Sequence, residues 1–539
     1  MAVAIPAKKS PNKIPEIRVI NPGKGLNTLV SDSLIQDTEA SDLNNIQYVE
    51  SGCVSKSYGI TAVGTGLTNN PKGLGTFYIT GGAKHVLTVD GTSLKYLNSG
   101  TWTAISGASF TSGKEVNFVQ ANDLLYIWDG DAAGCSLDTS LTLTRLTTAP
   151  RAAFGIWYSG FQLVTGVDTL PNRLYIADTT TNAGDFTNAT GTLSTSGGVP
   201  GATSFAGTGA QFVDVNPGDG DKITGLAKFQ NALVIFKERS IYQLTFNSSG
   251  VPSVAQITSN TGAVSHKSID NVDNDVFYLS RNGYYVLGNE PNYYNVIRSN
   301  ELSARVKPII ESLSTSALNK VCSIFSDFRY YTSFATGSAS SSTQTLMYDK
   351  RYLAWSSLDY IKANSWAEYI DSTGVKHLYY ADDTTNKIYE VVVGSYSAAG
   401  SAIDTWWTSK AFDAGQFDIY KRWFDITLFF RQIVGTVTIT IYADNNTLVK
   451  QTTISSTNDP TGSLGTVQLG SQILGGTGVA QDGESTNNIP YRIKVNTKSR
   501  TLKVKVSNAN NNENFVLLGF NITYVPYSHY SFPSALKIY

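Results

Sequence analysis

The sequence has few charged residues and no long apolar run, and each shortage excludes a class of protein. Only 15% of its 539 residues are charged, and 41 Lys and Arg against 42 Asp and Glu leave a net charge of −1. This balance provides no basic field that could hold nucleic acid through counterion release. No segment reaches the roughly 20 apolar residues that a membrane-spanning helix needs. We therefore expect neither tight DNA binding nor stable membrane insertion.

Cysteine is also scarce. Cys53, Cys135 and Cys322 are odd in number, lie far apart and show no CxxC spacing, which argues against a disulfide framework and a zinc site. We expect buried free thiols, as is common for unpaired cysteine. The N-terminal MAVAIPAKKSPNKIPEIRV has no apolar core of a secretory signal, so synthesis in a cytoplasm is expected.

Catalytic motifs are missing from the chain. HExxH, GxSxG, P-loop and GxGxxG patterns do not occur, although each is a recognisable carrier of chemistry. The histidines are widely spaced, and positions in a sheet explain His85 and His377 better than metal ligation does; the full set is His85, His266, His377 and His529. We predict a protein that is not an enzyme. We assign no catalytic, cofactor-binding or metal-binding residue and expect no cofactor.

Weak motif signals have simpler explanations. The acidic stretch PGDGD at 217–221 could hold calcium through its oxygens, but Asp and Gly are the usual turn residues and a turn before a strand is favoured. Ser99–Trp102 lacks the aspartate of a sialidase Asp-box, and the Trp128-Asp129 dipeptide has no Gly-His partner. None of these stretches predicts a binding site.

A strand pattern dominates residues 221–288. Three short apolar strands separated by polar turns occur first as Ile223–Leu226, Leu233–Phe236 and Ile241–Leu244. The same order then recurs from Ile269 to Leu287. Runs of β-branched and aromatic residues between tight turns predict antiparallel hairpins. The two units start about 45 residues apart, a period typical of propeller blades.

Similar four-strand units occur along most of the chain and predict an all-β fold. Examples begin at Leu74 and at Val116. We predict a β-propeller of six or seven blades over residues 26–400, with strands from before Lys72 closing the ring and with 178–220 as an insertion or long loop. Radial repetition of this kind limits exposed sheet edges. A β-sandwich of the same length is the alternative.

The remaining segments have a different character. Residues 1–25 carry four prolines and predict an extended N-terminal arm that is disordered or lies on a neighbouring subunit. Asp37–Asn45 predicts a short helix. Ser299–Ser314 is the best helix candidate, because its apolar residues follow helical spacing, and Pro308 should kink or split that helix.

Longer alternating strands begin near residue 401, as in Val437–Ile441 and Leu502–Val506. They predict a C-terminal β-sandwich, jelly-roll-like, over 401–539, with a long loop at 456–489 and an aromatic tail. Tyrosine pairs in the propeller region and the terminal VPYSHYSFPSALKIY are aromatic clusters that fit either an interface or, with more support, sheet packing. The pairs lie at Tyr293-Tyr294, Tyr330-Tyr331 and Tyr379-Tyr380.

Three segments carry a resemblance to a known family. They are ITGLAKFQNALVIFKERSIYQL followed by SIDNVDNDVFYLSRNGYYVLG, the earlier DTEASDLNNIQYVESGCVSKSYG, and the later FDAGQFDIYKRWFDITLFF. Together they resemble tailed-bacteriophage virion proteins. The nearest groups are the tail nozzle proteins (tail tubular protein B) of short-tailed phages and the packaged-DNA stabilisation proteins.

The resemblance implies a β-propeller with added β-domains, assembled as a hexameric ring around the DNA exit channel of the virion tail, without enzyme activity. It implies other tail or neck proteins as partners (an adaptor, a tail fibre or a needle) and double-stranded DNA passing non-specifically through the lumen. The alternative is a carbohydrate-binding or glycan-processing propeller, such as a receptor-binding tail protein. A glycan-processing propeller would need paired carboxylates at one mouth, and the sequence cannot place them together; the residues considered are Asp129, Asp178, Asp219, Asp221 and Glu238.

Overall fold

The computed structural model describes residues 15–177, 184, 186, 211–246, 252–290, 293–455 and 489–526. The chain divides into two compact units. One, the propeller unit, contains residues 58–351 and 357–400. The other, the two-sheet unit, contains the chain up to Ser57, residues 352–356 and the chain from Ser401 onward.

Seven sheets form the blades of the propeller unit: six are four-stranded and antiparallel, and the seventh extends four antiparallel strands with the short strands Ser397–Ala398 and Ser401–Ala402. Blade 1 contains Lys72–Tyr78, Lys84–Asp90, Ser93–Asn98 and Thr101–Ala104. Blade 2 contains Asn117–Ala121, Leu124–Trp128, Cys135–Leu137 and Leu143–Arg145. Blade 3 contains Phe154–Tyr158, Phe161–Thr165, Arg173–Ile176 and Gln211–Asp214. Blade 4 contains Ile223–Phe229, Ala232–Lys237, Ile241–Phe246 and Pro252–Thr258.

The last three blades follow the same plan, and only the seventh takes a strand from elsewhere in the chain. Blade 5 contains Asp270–Val272, Asp275–Ser280, Gly283–Glu290 and Tyr293–Glu301. Blade 6 contains Cys322–Ser326, Arg329–Phe334, Gln344–Asp349 and Ala354–Leu358. Blade 7 contains Ala363–Ile370, Lys376–Asp382 and Ile388–Val392, and the early strand Gly59–Ala62 completes it.

The blades form a closed ring. The first strand of each blade contacts the first strand of the next, and that of blade 7 contacts that of blade 1. Gly59–Ala62 pairs antiparallel with Ile388–Val392, so a strand from before Lys72 closes the ring as predicted. Because the ring is closed, every blade packs between two neighbouring blades. Radial repetition of this kind leaves only short, protected sheet edges. The predicted propeller of six or seven blades is confirmed, with seven.

The hydrophobic core lies between neighbouring blades, where strand faces with alternating apolar residues meet. Leu87 and Val89 of blade 1 pack with Leu125 and Ile127 of blade 2, all at most 1% exposed. Comparable clusters occur between blades 2 and 3, 3 and 4, 4 and 5, 6 and 7, and 7 and 1. Between blades 5 and 6, the ring of Tyr330 lies 5.4 Å from that of Phe277.

Two antiparallel sheets make up the second unit. In hydrogen-bonded order, the first contains Ile46–Val49, Cys53–Lys56, Asn514–Pro526, Lys421–Val434 and Ile489–Ser499, with Glu16–Ile20 also paired to Asn514–Pro526. The second contains Ala40–Asn44, Thr405–Ser409, Leu502–Asn508, Thr436–Ala443 and Thr447–Ser455. Phe520 of the first sheet contacts Trp407 of the second, with ring centroids 5.9 Å apart. A jelly-roll-like arrangement of these sheets stays a prediction.

The structure corrects the predicted domain limits at the N-terminus. We expected residues 26–57 in the propeller, but their strands pair with Thr405–Ser409 and Asn514–Pro526. Asp37–Asn45 was predicted as a helix and instead contains the strand Ala40–Asn44, because pairing with a distant strand outweighs local propensity. The extended arm is partly a strand of its own chain, since Glu16–Ile20 pairs with Asn514–Pro526 and buries Val19.

The predicted helix Ser299–Ser314 is also wrong. Its first residues belong to the strand Tyr293–Glu301, and the α-helix is one short turn, Lys307–Glu311. Pro308 lies in the first turn of that helix, where a missing N–H costs nothing. The other helical segments described are 3₁₀ turns: Glu50–Gly52, His266–Ser268, Ala304–Val306, Thr315–Lys320 and Asp444–Asn446. Short strands also occur at Ser397–Ala398 and Ser401–Ala402.

Both predicted long loops lie mainly outside the described residues. Within 178–220, the described part includes Gln211–Asp214, which is the fourth strand of blade 3. Within 456–489, only Ile489 is described, at the start of a strand. Among the helices of the described residues, none is long and apolar enough to cross a membrane.

Candidate functional site

Two cavities lie among the innermost segments of the propeller. Cavity A has a volume of about 480 Å³ and lies among blades 2, 3 and 4 and the segments that lead into blades 5 and 6. Cavity B has a volume of about 460 Å³ and lies among the first strands of blades 1, 2, 5, 6 and 7. Volumes of this size suit a small ligand. The two cavities therefore make the region around the propeller axis the best candidate for a binding site.

The short turn His266–Ser268 separates the two cavities, and His266 and Lys267 line both. The Nζ of Lys267 donates to Oε2 of Glu115 at 2.8 Å and to the carbonyl of Asn364 at 2.7 Å. These partners come from blades 2 and 7, whereas Lys267 precedes blade 5. The lysine side chain therefore crosses the axis and joins three blades.

Further charges extend this link. Oε1 of Glu115 lies 3.3 Å from Nζ of Lys72, and that Nζ lies 3.5 Å from Oδ1 of Asp383. Oδ2 of Asp383 accepts the N–H of Ser342 at 2.7 Å. We call Lys267, Glu115, Lys72 and Asp383 the axial charge network. It contains two positive and two negative groups, so the blades are joined without net charge.

The network favours the charged forms of Lys267 and Glu115. Burial by itself would lower the pKa of Lys267, but the Glu115 carboxylate raises it above the ordinary value. Burial would likewise raise the pKa of Glu115, but Lys267 and Lys72 lower it overall. Opposite charges at hydrogen-bond distance outweigh the loss of hydration here. Removing one member would leave an uncompensated charge in the protein interior.

His266 is neutral at physiological pH. Burial, and then the charge of Lys267, lower its pKa to about 4. Its ring stacks on Phe154 of blade 3 with centroids 4.5 Å apart and planes inclined by 13°. Nδ1 accepts the N–H of Leu226 at 3.4 Å. The imidazole therefore packs as an aromatic group that joins blades 3 and 4 to the axial turn.

Two carboxylates line cavity B. Asp270 begins blade 5 and accepts backbone N–H groups from Asn271 and from Phe325 of blade 6. Glu368 lies on blade 7, where Oε1 accepts the hydroxyl of Ser326 at 3.0 Å and the carboxylate pairs with Lys376. The fold thus brings to one cavity two acidic groups that are almost 100 residues apart in sequence.

Asp270 is a much weaker acid than an ordinary aspartic acid side chain. Burial raises the pKa of Asp270 to about 7, the two backbone N–H groups reduce that shift, and the charge of Glu368 adds to it. Asp270 therefore exchanges its proton near neutral pH. A carboxyl group with this property in a cavity is a functional-site candidate, because it can donate as well as accept a hydrogen bond.

The acidic stretch at 217–221 is used as a turn. Oδ2 of Asp219 lies 2.7 Å from Nζ of Lys237, and this ion pair lowers the pKa of Asp219 against the effect of burial. Asp221 accepts the N–H groups of Glu238 and Arg239, which fixes the hairpin between the second and third strands of blade 4. Among the described residues, no group of three or more acidic, Cys or His side chains could hold a metal ion.

The carboxylates considered for a glycan site are not brought together. Asp129 accepts the N–H groups of Asp131 and Ala132 in blade 2, Asp219 and Asp221 brace blade 4, and Glu238 pairs with Lys222 and Arg281. Asp178 lies outside the described residues. The two carboxylates that do line one cavity, Asp270 and Glu368, were not singled out by sequence. Nor were Lys267 and Glu115, because they precede strands and belong to no motif.

The other candidate residues have structural roles. Tyr330, Tyr331, Tyr379 and Tyr380 are at most 6% exposed, which favours the sheet-packing interpretation. Tyr293 and Tyr294 belong to the strand Tyr293–Glu301. His85 and His377 lie on strands, as expected, and His529 is outside the described residues. The three cysteines are buried and free, as predicted, and burial raises the pKa of Cys322 to about 12.

Comparisons with known proteins return structures but no sequence relatives. No family model matches the chain, and no curated protein matches it. Among solved structures, the chain is similar to the beta-propeller domain of Myceliophteria thermophila Cps50 (Swd1), with 8% identity, a TM-score of 0.39, and coverage of 62% of this chain and 100% of that one.

Two further structures are similar at the same level. The structure of YCF48 bound to D1 peptide has 8% identity and a TM-score of 0.37, with coverage of 65% of this chain and 98% of that one. A chain in the Mitotic Checkpoint Complex has 10% identity and a TM-score of 0.38, with coverage of 62% and 96%. At these identities the similarity concerns the fold alone.

Proposed function

We propose that this protein is a structural virion protein of a tailed bacteriophage. It forms a ring-shaped tail nozzle or neck component that acts as a conduit and closure for genomic DNA during packaging retention and ejection. It acts without catalysis, as a homo-oligomer of six copies, in contact with other tail or neck proteins. The observation that carries the proposal is the resemblance of three sequence segments to tail nozzle and packaged-DNA stabilisation proteins.

The positions of those segments support the proposal. The longest one forms most of blades 4 and 5. The early one forms strands Ala40–Asn44, Ile46–Val49 and Cys53–Lys56 of the two-sheet unit, and the late one leads into Lys421–Val434 of that unit. The resemblance implies a propeller with added β-structure, and the chain has both.

The axis of a single propeller is not a route for DNA. Lys267 crosses it, and the cavities on either side measure only about 480 and 460 Å³. A duplex must therefore pass between copies, through the lumen of a ring. We propose that acidic and neutral polar side chains line this lumen, because each phosphate contact would add affinity and salt dependence that hinder sliding.

Ring assembly and position are tested in two steps. Purified full-length protein is examined by negative-stain electron microscopy and mass photometry, and we expect a ring of six copies, alone or with virion extract. Cross-linking mass spectrometry of intact virions should then place the chain in the neck or tail. Cross-links confined to other parts of the virion would contradict the proposal.

A DNA-binding assay tests the conduit role separately. We expect weak binding of double-stranded DNA at low salt and none at physiological salt. Tight binding that falls steeply with salt would contradict a passive lumen. We propose that the N-terminal arm, residues 1–25, and the aromatic C-terminus, residues 526–539, supply contacts between subunits. Deleting 1–14 tests this better than deleting 1–25, since residues 16–20 form a strand within the monomer.

A further inference from the structure

Cavity B combines features that the axial charge network does not explain. It is lined by the carboxylates of Asp270 and Glu368, by the hydroxyl-bearing residues Thr76, Ser323 and Ser365, and by aromatic residues such as Phe118. The side chain of Glu368 is 35% exposed, so solvent reaches the cavity beside this residue. Polar groups of several kinds therefore converge on an accessible space that also has apolar walls.

One polar group in this wall lacks a partner. Ser365 is 4% exposed, and its Oγ has no hydrogen bond among the described residues. Buried hydroxyl groups in native proteins are almost always hydrogen-bonded, and leaving one unsatisfied is costly. Ser365 neighbours Trp366, whose indole also lines the cavity. A ligand that supplies hydroxyl groups would provide the missing interaction.

The backbone contacts of Asp270 fix its carboxylate at the seam of blades 5 and 6, because Phe325 donates to one oxygen and Asn271 to the other. Each carboxylate oxygen can accept a second hydrogen bond. The Ser326 hydroxyl and Lys376 hold Glu368 in a similar way. Both acids are thus positioned acceptors with remaining capacity, which is the arrangement that recognises vicinal hydroxyl groups.

We propose that cavity B is a binding site for a neutral sugar of one or two residues. The carboxylates of Asp270 and Glu368 and the hydroxyl of Ser365 recognise its hydroxyl groups, and Phe118 provides an apolar wall for its C–H face. This inference is independent of the virion role, since it rests only on the geometry of the propeller axis.

The test uses full-length protein and a panel of glucose, galactose, N-acetylglucosamine, lactose and maltose. Saturation-transfer NMR detects bound sugar, and Trp fluorescence titration measures affinity, because Trp366 lines the cavity. We expect saturable binding of at least one sugar. We expect Asp270→Asn and Ser365→Ala to weaken it at least about fivefold each, the effect of losing one hydrogen bond.

Controls keep the test decisive. Asp273→Asn on the same blade removes an exposed carboxylate paired with Lys350 and should leave sugar affinity unchanged. If Asp270→Asn does not fold, Glu368→Gln takes its place, with thermal melting to verify folding. No saturable binding of any sugar in the panel overturns the proposal, as does binding that both cavity variants leave unchanged. A response to magnesium chloride without any to sugars would show a cation site and also overturn it.

Discussion

The two units of this protein connect their strands in different ways. In the propeller, each of blades 1 to 6 is made from strands that follow one another along the chain, and only blade 7 takes a distant strand. In the two-sheet unit, strands from before Ser57 lie beside strands from after Ser401 in both sheets. Local pairing lets one blade form with little loop closure, whereas distant pairing requires both ends of the chain.

Two lysines that join distant segments show the same difference. In the two-sheet unit, fully buried Lys56 donates to Oδ1 of Asn508 at 2.7 Å and to the carbonyl of Asn510 at 2.8 Å, which ties an early strand to a late loop. In the propeller, Lys267 joins blades that are each built from neighbouring strands. The first lysine links strands within one unit that are distant in sequence, and the second links separate blades of the ring.

The strongest way to break the comparison is to delete residues 1–57. This removes four strands of the two-sheet unit and leaves the closing strand Gly59–Ala62. We expect residues 401–455 and 489–526 to lose their folded structure while the propeller survives. Limited proteolysis with mass spectrometry measures this. Equal protection of these residues in the deleted and complete chains would show that the late strands fold without the early ones.

Lys267→Met should destabilise the propeller by about 3–5 kcal/mol, because Glu115 loses one of its two cationic partners in the interior. Urea unfolding followed by Trp fluorescence measures the loss. Lys114→Met is the matched control, since its ion pair with Asp131 is 3.5 Å long and about half exposed at both ends. A loss no larger than in this control would mean that the axial charge network contributes little.

Ile60→Asp should cost about 3 kcal/mol by placing an unpaired charge in the seam where blade 7 closes. Ile60 is 5% exposed and packs in the cluster between blades 6 and 7. Thermal unfolding measures the change, and Ala62→Asp on the exposed part of the same strand should be nearly neutral. Similar effects for both variants would indicate that closure does not limit propeller stability.

The smallest expected effect is a change in pH dependence. Asp270 has a pKa of about 7 in the folded protein and an ordinary value of 3.8, so the folded state keeps a proton that the unfolded chain releases. Its contribution to stability is complete below the ordinary pKa and is lost as pH rises through the folded pKa.

Relative to Asp270→Asn, the unmodified protein should gain about 1 kcal/mol between pH 8 and pH 5, a value reduced for partial solvent exposure. Urea unfolding at several pH values gives, for each protein, the slope of the free energy of unfolding against pH. Parallel slopes for the two proteins would contradict a raised pKa at Asp270.

Sequence patterns were informative where structure is local. The alternation in Leu233–Phe236 and Ile241–Leu244, with tight turns between, predicted the strands of blade 4, because neighbouring strands pair through short connections. The same reasoning failed at Asp37–Asn45 and at Ser299–Ser314. There a strand partner distant in sequence, or a long hairpin strand, outweighed the helical preference of a short segment.

The sequence by itself determined the all-β class, the repeated four-strand blades, the closing strand before Lys72 and the free thiols, since composition, period and turn residues act over a few neighbouring residues. Only the tertiary structure decided that the ring has seven blades, that early and late segments of the chain share one unit, that Lys267 contacts Glu115, and that Asp270 and Glu368 line the same cavity. Ring closure brings the starts of all first strands to one axis, so residues without any sequence motif become neighbours there.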